Sequence, residues 1–155
     1  MKIGFASDHA AVALKDSVKA HLAERGFECV DFGAYEPTEQ DNYPERGLAV
    51  AEALVRGEID KGVIVCGTGI GISLAANKVP GIRAAVCGDT YTARLSVEHN
   101  NANILAMGAR VVAPEYANDI ADAFFDARFE GGRHAVRVGM IADIEKKYSK
   151  VPGDA

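Results

Sequence analysis

The run Val63-Ile64-Val65-Cys66-Gly67-Thr68-Gly69-Ile70-Gly71-Ile72-Ser73 constrains this chain more than any other segment. Three consecutive β-branched apolar residues without polar alternation predict a strand covered on both faces, as in a parallel sheet. Gly67, Gly69 and Gly71 predict a tight turn into a helix. Glycine tolerates positive φ and lets successive N–H groups approach a ligand, and the helix that follows adds the positive end of its dipole. A lone cysteine in this position reads as a small buried apolar residue. Beside three glycines, Cys66 also reads as a thiol that ionises more readily than a free one, a base or nucleophile facing a cradle for a developing oxyanion.

The glycine spacing excludes two familiar nucleotide motifs. Ile72 stands where the dinucleotide fingerprint G-x-G-x-x-G requires its third glycine. G-x-x-x-x-G-K-[ST] is absent, so nothing places a lysine on nucleotide phosphates or a hydroxyl on magnesium.

Strand and helix patterns alternate along the chain. Apolar runs at 3–6, 27–32, 63–66, 84–87 and 104–107 predict five strands, the last resuming at Val111-Val112. Val12, Leu14, Val18 and Leu22 recur at helical spacing before Gly26. Pro44 opens a second helix that runs to Gly57. Further helices are expected after Gly69, over 90–99, from Pro114 to about Phe129, and over 134–147. Such alternation implies right-handed crossovers and one doubly wound, five-stranded parallel sheet in a three-layer α/β/α domain, Rossmann-like, over residues 1–148. A C-terminal helix follows the Gly131-Gly132 break, and residues 149–155 form a frayed tail. Ligands are expected beyond the carboxyl ends of the strands. Asp8-His9, Cys66 to Gly71, Asp89 and Gly108-Ala109-Arg110 all follow predicted strands.

With 155 residues the chain fits one domain. A net charge of -5 leaves no basic stripe for nucleic acid. No segment approaches the ~20 apolar residues of a membrane span, and the first residues lack a leader pattern, so a cytoplasmic protein is expected. Cys29, Cys66 and Cys87 are odd in number and form no C-x-x-C pair, which indicates neither a disulfide framework nor a zinc site.

Taken together, Ser7-Asp8-His9, Asp41-Asn42-Tyr43-Pro44, Cys66 to Ser73, Ala75-Ala76-Asn77-Lys78, Glu98-His99-Asn100, Gly108 to Val112 and Glu130-Gly131-Gly132-Arg133-His134 resemble the type B ribose-5-phosphate isomerase family. The likeness runs over about the first 148 residues. The wider family includes galactose-6-phosphate and allose-6-phosphate isomerases, so these sugars and a tetrose phosphate stand as alternative substrates. A noncatalytic metabolite-binding module on a similar sheet stands as the alternative from another class.

The resemblance implies aldose–ketose isomerisation through a cis-enediolate, without metal or organic cofactor. It assigns Cys66 as base, and the family's alternative base, a glutamate further along the loop, is missing here because Ile70, Ile72 and Ser73 occupy that stretch. Thr68 would donate or relay a proton. His99, which read alone is a helix-end histidine, would open the sugar ring. Asp8, His9, Tyr43 and Asn100 would contact the sugar, with Asp8 also fitting a helix N-cap. Backbone N–H groups of Gly67, Gly69, Ile70 and Gly71 would hold the oxyanion. Arg110, Arg133 and Arg137, with His134, would bind phosphate. The resemblance also implies a homodimer or tetramer whose sites cross a subunit boundary.

Overall fold

Residues 61–66 form a strand whose residues 62–66 are all buried, in a computed structural model that describes residues 1–38 and 40–149. Five parallel strands run β1 (Lys2–Ser7), β2 (Glu28–Asp31), β3 (Lys61–Cys66), β4 (Ala84–Val86) and β5 (Ile104–Gly108), in the order β2-β1-β3-β5-β4. Six α-helices separate or follow them: α1 (Val12–Glu24), α2 (Tyr43–Val55), α3 (Ile70–Ala76), α4 (Thr90–Glu98), α5 (Pro114–Asp126) and α6 (Arg133–Tyr148). The expected tail lies outside the described residues except for Ser149, which closes α6. No helix among the described residues is long and apolar enough to cross a membrane.

The sheet separates two cores. Ile3, Phe5, Val63, Val65, Leu105 and Met107 face one layer, where they meet residues of α1, α4 and α5. Ala6, Ile64, Cys66, Ile104 and Ala106 face the other, with Val50, Ala51 and Ile72 of α2 and α3. Alternate residues of each central strand thus enter different apolar cores, which explains the absence of polar alternation. Between β1 and β3 the winding reverses, since β2 lies outside β1 while β5 and β4 lie beyond β3. Loops leaving the carboxyl ends of β1 and β3 therefore diverge and open a crevice beside Cys66.

Two boundaries differ from expectation. Val111 and Val112 do not resume a strand. Their N–H groups both turn back to the Gly108 carbonyl, at 3.0 Å each, so the chain leaves the sheet in a tight turn despite β-branched side chains. The fifth helix stops at Asp126, and Ala127 is already extended.

A lysine is buried in this fold with its charge fully answered. Lys15, on α1, has a side chain only 1 % exposed. Its Nζ donates to Asp31 Oδ1 at 2.8 Å and to the Ala34 carbonyl at 2.6 Å, and Lys19 also donates to Asp31. Burial acts to raise the Asp31 carboxyl, but hydrogen bonds from Lys15, Lys19 and the Gly33 N–H outweigh it and hold the group below its ordinary value. A depressed carboxyl stabilises the fold at pH above its unfolded value, about 4, and that contribution is lost as pH falls through the folded value. Lys15→Met is expected to cost about 2–4 kcal/mol in chemical denaturation at neutral pH and to flatten the loss of stability below about pH 4. An unchanged acid limb would disconnect Lys15 from Asp31.

Candidate active site

The turn after β3 is held against β5 by backbone contact. Gly69 alone among the loop glycines has positive φ, +79°, so backbone handedness does not account for Gly67 and Gly71. A Cβ on Gly69 would lie 2.8 Å from the carbonyl carbon of Met107, and one on Gly108 would lie 2.7 Å from that of Thr68. On Gly71 it would meet the Tyr43 ring at 2.7 Å, and on Gly67 the Arg110 guanidinium at 3.0 Å. The glycines thus create room: for the strand backbone at 69 and 108, for an aromatic ring at 71, and for a cation at 67. Hydrogen bonds from Ala109 N–H to the Cys66 carbonyl, 2.9 Å, and from Arg110 N–H to the Gly67 carbonyl, 3.0 Å, tie the two turns together.

Cys66 is buried at the end of β3, and its Sγ accepts the Gly69 N–H at 3.2 Å. Such a donor suits negative charge on sulfur. The exposed Thr68 accepts the Ile70 N–H on Oγ1 at 3.3 Å, which leaves its hydroxyl proton available to a ligand. The N–H groups of Gly67 and Thr68 meet no protein acceptor among the described residues. Helix α3 has only seven residues, so these loop amides are the donors at hand rather than a long helix dipole.

Asp8, His9 and Tyr43 belong to the same edge. Asp8 caps the short 3₁₀ turn at 9–11 through the Ala10 N–H, at 3.1 Å, as the N-cap reading expected. His9, Gln40, Asp41 and Asn42 line a cavity of about 440 Å³. Asp41, quoted in a motif but given no role from sequence, accepts from Arg46 Nε at 2.5 Å, and Arg46 also donates to the Phe32 carbonyl at 2.8 Å. This anchors the segment that carries Asn42 and Tyr43. The signal for it, an Asp and an Arg five apart across a helix start, is too common to read alone.

His99, Asn100, Arg133, His134 and Arg137 stand elsewhere. Helix α4 leaves the carboxyl end of β4 and runs back, so His99 caps it near the amino edge of the sheet. There Asn103 accepts the N–H of Gly62, at the start of β3. Gly62 and Cys66 are four residues apart along a strand, or roughly 13 Å. In one chain, therefore, His99 and Cys66 occupy opposite ends of the sheet.

At that second location the His99 and His134 rings stack, 4.1 Å between centroids and 6° from parallel. Glu130 Oε2 lies 3.5 Å from His134 Nε2 and 3.9 Å from His99 Nε2. The Glu130 N–H donates to the Glu98 carbonyl at 3.0 Å, fixing the loop to the end of α4. Desolvation pushes His134 below its ordinary pKa, helped by His99, Arg133 and Arg137, while Glu130 opposes them. Arg133 and Arg137 share a helical face and are exposed. Glu130 received no role from sequence although it lies in a quoted motif. These three ligating atoms fall within 4.8 Å of one another, yet parallel rings aim their nitrogen lone pairs side by side, so a shared metal would require ring rotation.

A family model described as Ribose/Galactose Isomerase matches residues 3–141. The chain is 49 % identical over 146 residues to ribose-5-phosphate isomerase B of Escherichia coli, covering 94 % of this chain and 97 % of that one. The solved ribose-5-phosphate isomerase B of Clostridium thermocellum superposes with a TM-score of 0.94 at 57 % identity, over 96 % of this chain and 100 % of the other. That of Mycoplasma genitalium, with bound ribulose-5-phosphate, gives a TM-score of 0.89 at 39 % identity, over 94 % and 97 %.

The glycine contacts predict graded effects. Gly69→Ala adds strained φ to a backbone clash and is expected to lower stability by about 2–4 kcal/mol. Gly88→Ala, with no atom within 4 Å of its Cβ, is expected to stay within about 0.5 kcal/mol of the parent protein. Denaturant titration of both variants checks this, and equal stabilities would contradict it.

Proposed function

This chain belongs to the ribose/galactose isomerase family, and we propose that it interconverts ribose 5-phosphate and ribulose 5-phosphate through a cis-enediolate with Cys66 as the base. The observation that carries this reading is the Cys66 sulfur on a glycine turn where the Gly67 and Thr68 amides meet no acceptor among the described residues and can face an oxyanion. In the forward direction the Cys66 thiolate takes the proton from C2 of the open-chain aldose. Electrons shift onto the carbonyl oxygen, and the thiol returns the proton to C1, while Thr68 moves a proton between the two oxygens.

General base catalysis supplies about 10²–10⁴-fold, or roughly 3–5 kcal/mol. Donors on the developing oxyanion add roughly 3–4 kcal/mol each, so both devices are needed. N–H groups around Gly67, Gly69, Ile70 and Gly71 are the proposed donors. Asp8, His9, Tyr43 and Asn100 position sugar hydroxyls. Arg110, Arg133 and Arg137, with His134, take the phosphate. His99 protonates and opens the furanose ring, since the cyclic sugar lacks the acidic C–H that the base requires.

A second copy of the chain completes this site in our reading. His99 and the α6 cations lie too far from Cys66 within one chain, and α6 carries exposed Val136, Met140, Ile141 and Ile144 suited to a partner. The proton transfers use side chains and amides alone, so neither metal nor organic cofactor is required. Cys66 must stay reduced, which suits the cytoplasm.

Purified protein in EDTA is expected to convert ribose 5-phosphate, and Cys66→Ala to lose about 10²–10⁴-fold in kcat while retaining substrate binding. Full activity in that variant would remove Cys66 as base. His99→Asn is expected to impair ribose 5-phosphate turnover more than any turnover of erythrose 4-phosphate, whose C4 oxygen carries the phosphate and cannot close a furanose ring. Equal losses on the two sugars would remove ring opening from His99. Turnover of another phosphosugar alone would keep the Cys66 chemistry and change the substrate.

A further inference from the structure

One cavity of the fold takes no part in the steps proposed above. It encloses about 530 Å³ at the amino edge of the sheet, with Phe27, Lys61, Val97, Phe125, Arg128 and Phe129 in its wall. Lys61 opens β3 and Cys66 closes it, which separates this cavity from the sulfur of its own chain by roughly 16 Å.

Lys61 is the unusual group here. It is partly buried, and its Nζ lies 4.8 Å from the Phe124 ring centroid and 5.9 Å from that of Phe125. No carboxylate pairs with it among the described residues, and desolvation lowers its pKa. Lys15 shows how this fold ordinarily answers a buried ammonium, with a carboxylate and a carbonyl both within 2.8 Å. Lys61 has aromatic faces but no anion. Arg128 at the same cavity is exposed and also lacks an ion-pair partner among the described residues. The one carboxylate in the wall, Asp126, is taken by Arg25, 2.6 Å away. Three phenylalanines and two cations without an ion-pair partner among the described residues thus line one cavity.

We propose that this cavity is a second ligand site, and that it takes a small anion carrying a flat apolar ring. The ring lies among Phe27, Phe125 and Phe129, and the anionic group meets Lys61 and Arg128. Aromatic surface alone would accept a neutral ring, and cations alone would accept inorganic phosphate. The juxtaposition selects the two features in one molecule.

The test uses the full-length protein with 2-naphthoate, neutral 2-naphthamide and inorganic phosphate as probes, read by calorimetry and by NMR shifts. Naphthoate is expected to bind with shifts at Phe27, Phe125 and Phe129, and at least about tenfold more tightly than the amide, as a charge-assisted contact implies. Phosphate is expected to leave those shifts unmoved. Lys61→Met is expected to remove the preference for naphthoate while isomerase turnover stays at the parent level, and Lys61→Arg to keep it. Arg128→Gln, on an exposed side chain, is expected to weaken naphthoate severalfold and carries the test should Lys61→Met fail to fold. Equal binding of naphthoate and its amide, shifts confined to the Gly67–Gly71 turn, no binding at millimolar concentration, or insensitivity to these substitutions would overturn the proposal.

Discussion

Backbone lies directly on backbone where the turn after β3 meets the end of β5. Gly69 and Gly108 make reciprocal approaches that any side chain would push apart, with Met107 on one side and Thr68 on the other. This contact fixes the direction in which Cys66, Gly67 and Thr68 leave the sheet. The remaining geometry depends on that direction: the Gly69 amide reaches the Cys66 sulfur, Arg110 lies over Gly67, and Tyr43 packs on Gly71. Strand β3 can present its last residue in this way because its preceding residues are held from both faces by separate apolar cores. The burial that drives folding is therefore also what holds the candidate base still.

The polar groups are distributed by the same topology. Residues that follow β1, β3 and β5 collect at the carboxyl edge, whereas α4 and α5 return the chain to the opposite edge and leave His99, Glu130 and His134 there. A stacked imidazole pair beside one carboxylate, with two exposed arginines on the adjoining helix, lies at the far end of the sheet from Cys66 of its own chain and cannot act on a sugar held there. In a symmetric dimer each chain would lend this cluster to its partner, giving two equivalent sites from one interface. The exposed apolar side chains of α6, next to the cluster, fit such a surface.

Much of this was legible in the sequence, for identifiable reasons. Val63 to Val65 have no polar alternation because Val63 and Val65 enter one core while Ile64 enters the other, so the parallel sheet could be read directly. Gly26 and Pro44 marked a helix end and a helix start within a residue or two. Val111-Val112 misled because β-branched residues signal strands only where a neighbouring strand is available, and here the chain has already turned back on Gly108. The sequence suggests positive φ at Gly67 and Gly71, which neither has; what lies beside them is Arg110 and Tyr43, side chains distant in sequence. The contacts of Glu130, Asp41 and Lys61 were not legible, since their meaning lies in what packs against them.

The most direct test of a site shared between chains is subunit complementation. Cys66→Ala and His99→Asn proteins, each nearly inactive on ribose 5-phosphate, would be mixed, unfolded, refolded together and assayed. If each site joins Cys66 of one chain to His99 of another, about half of the dimers are mixed and each holds one intact site, so about a quarter of parent turnover returns. Turnover no greater than that of the two variants refolded separately would contradict the account and require Cys66 and His99 to act within a single chain or not together at all.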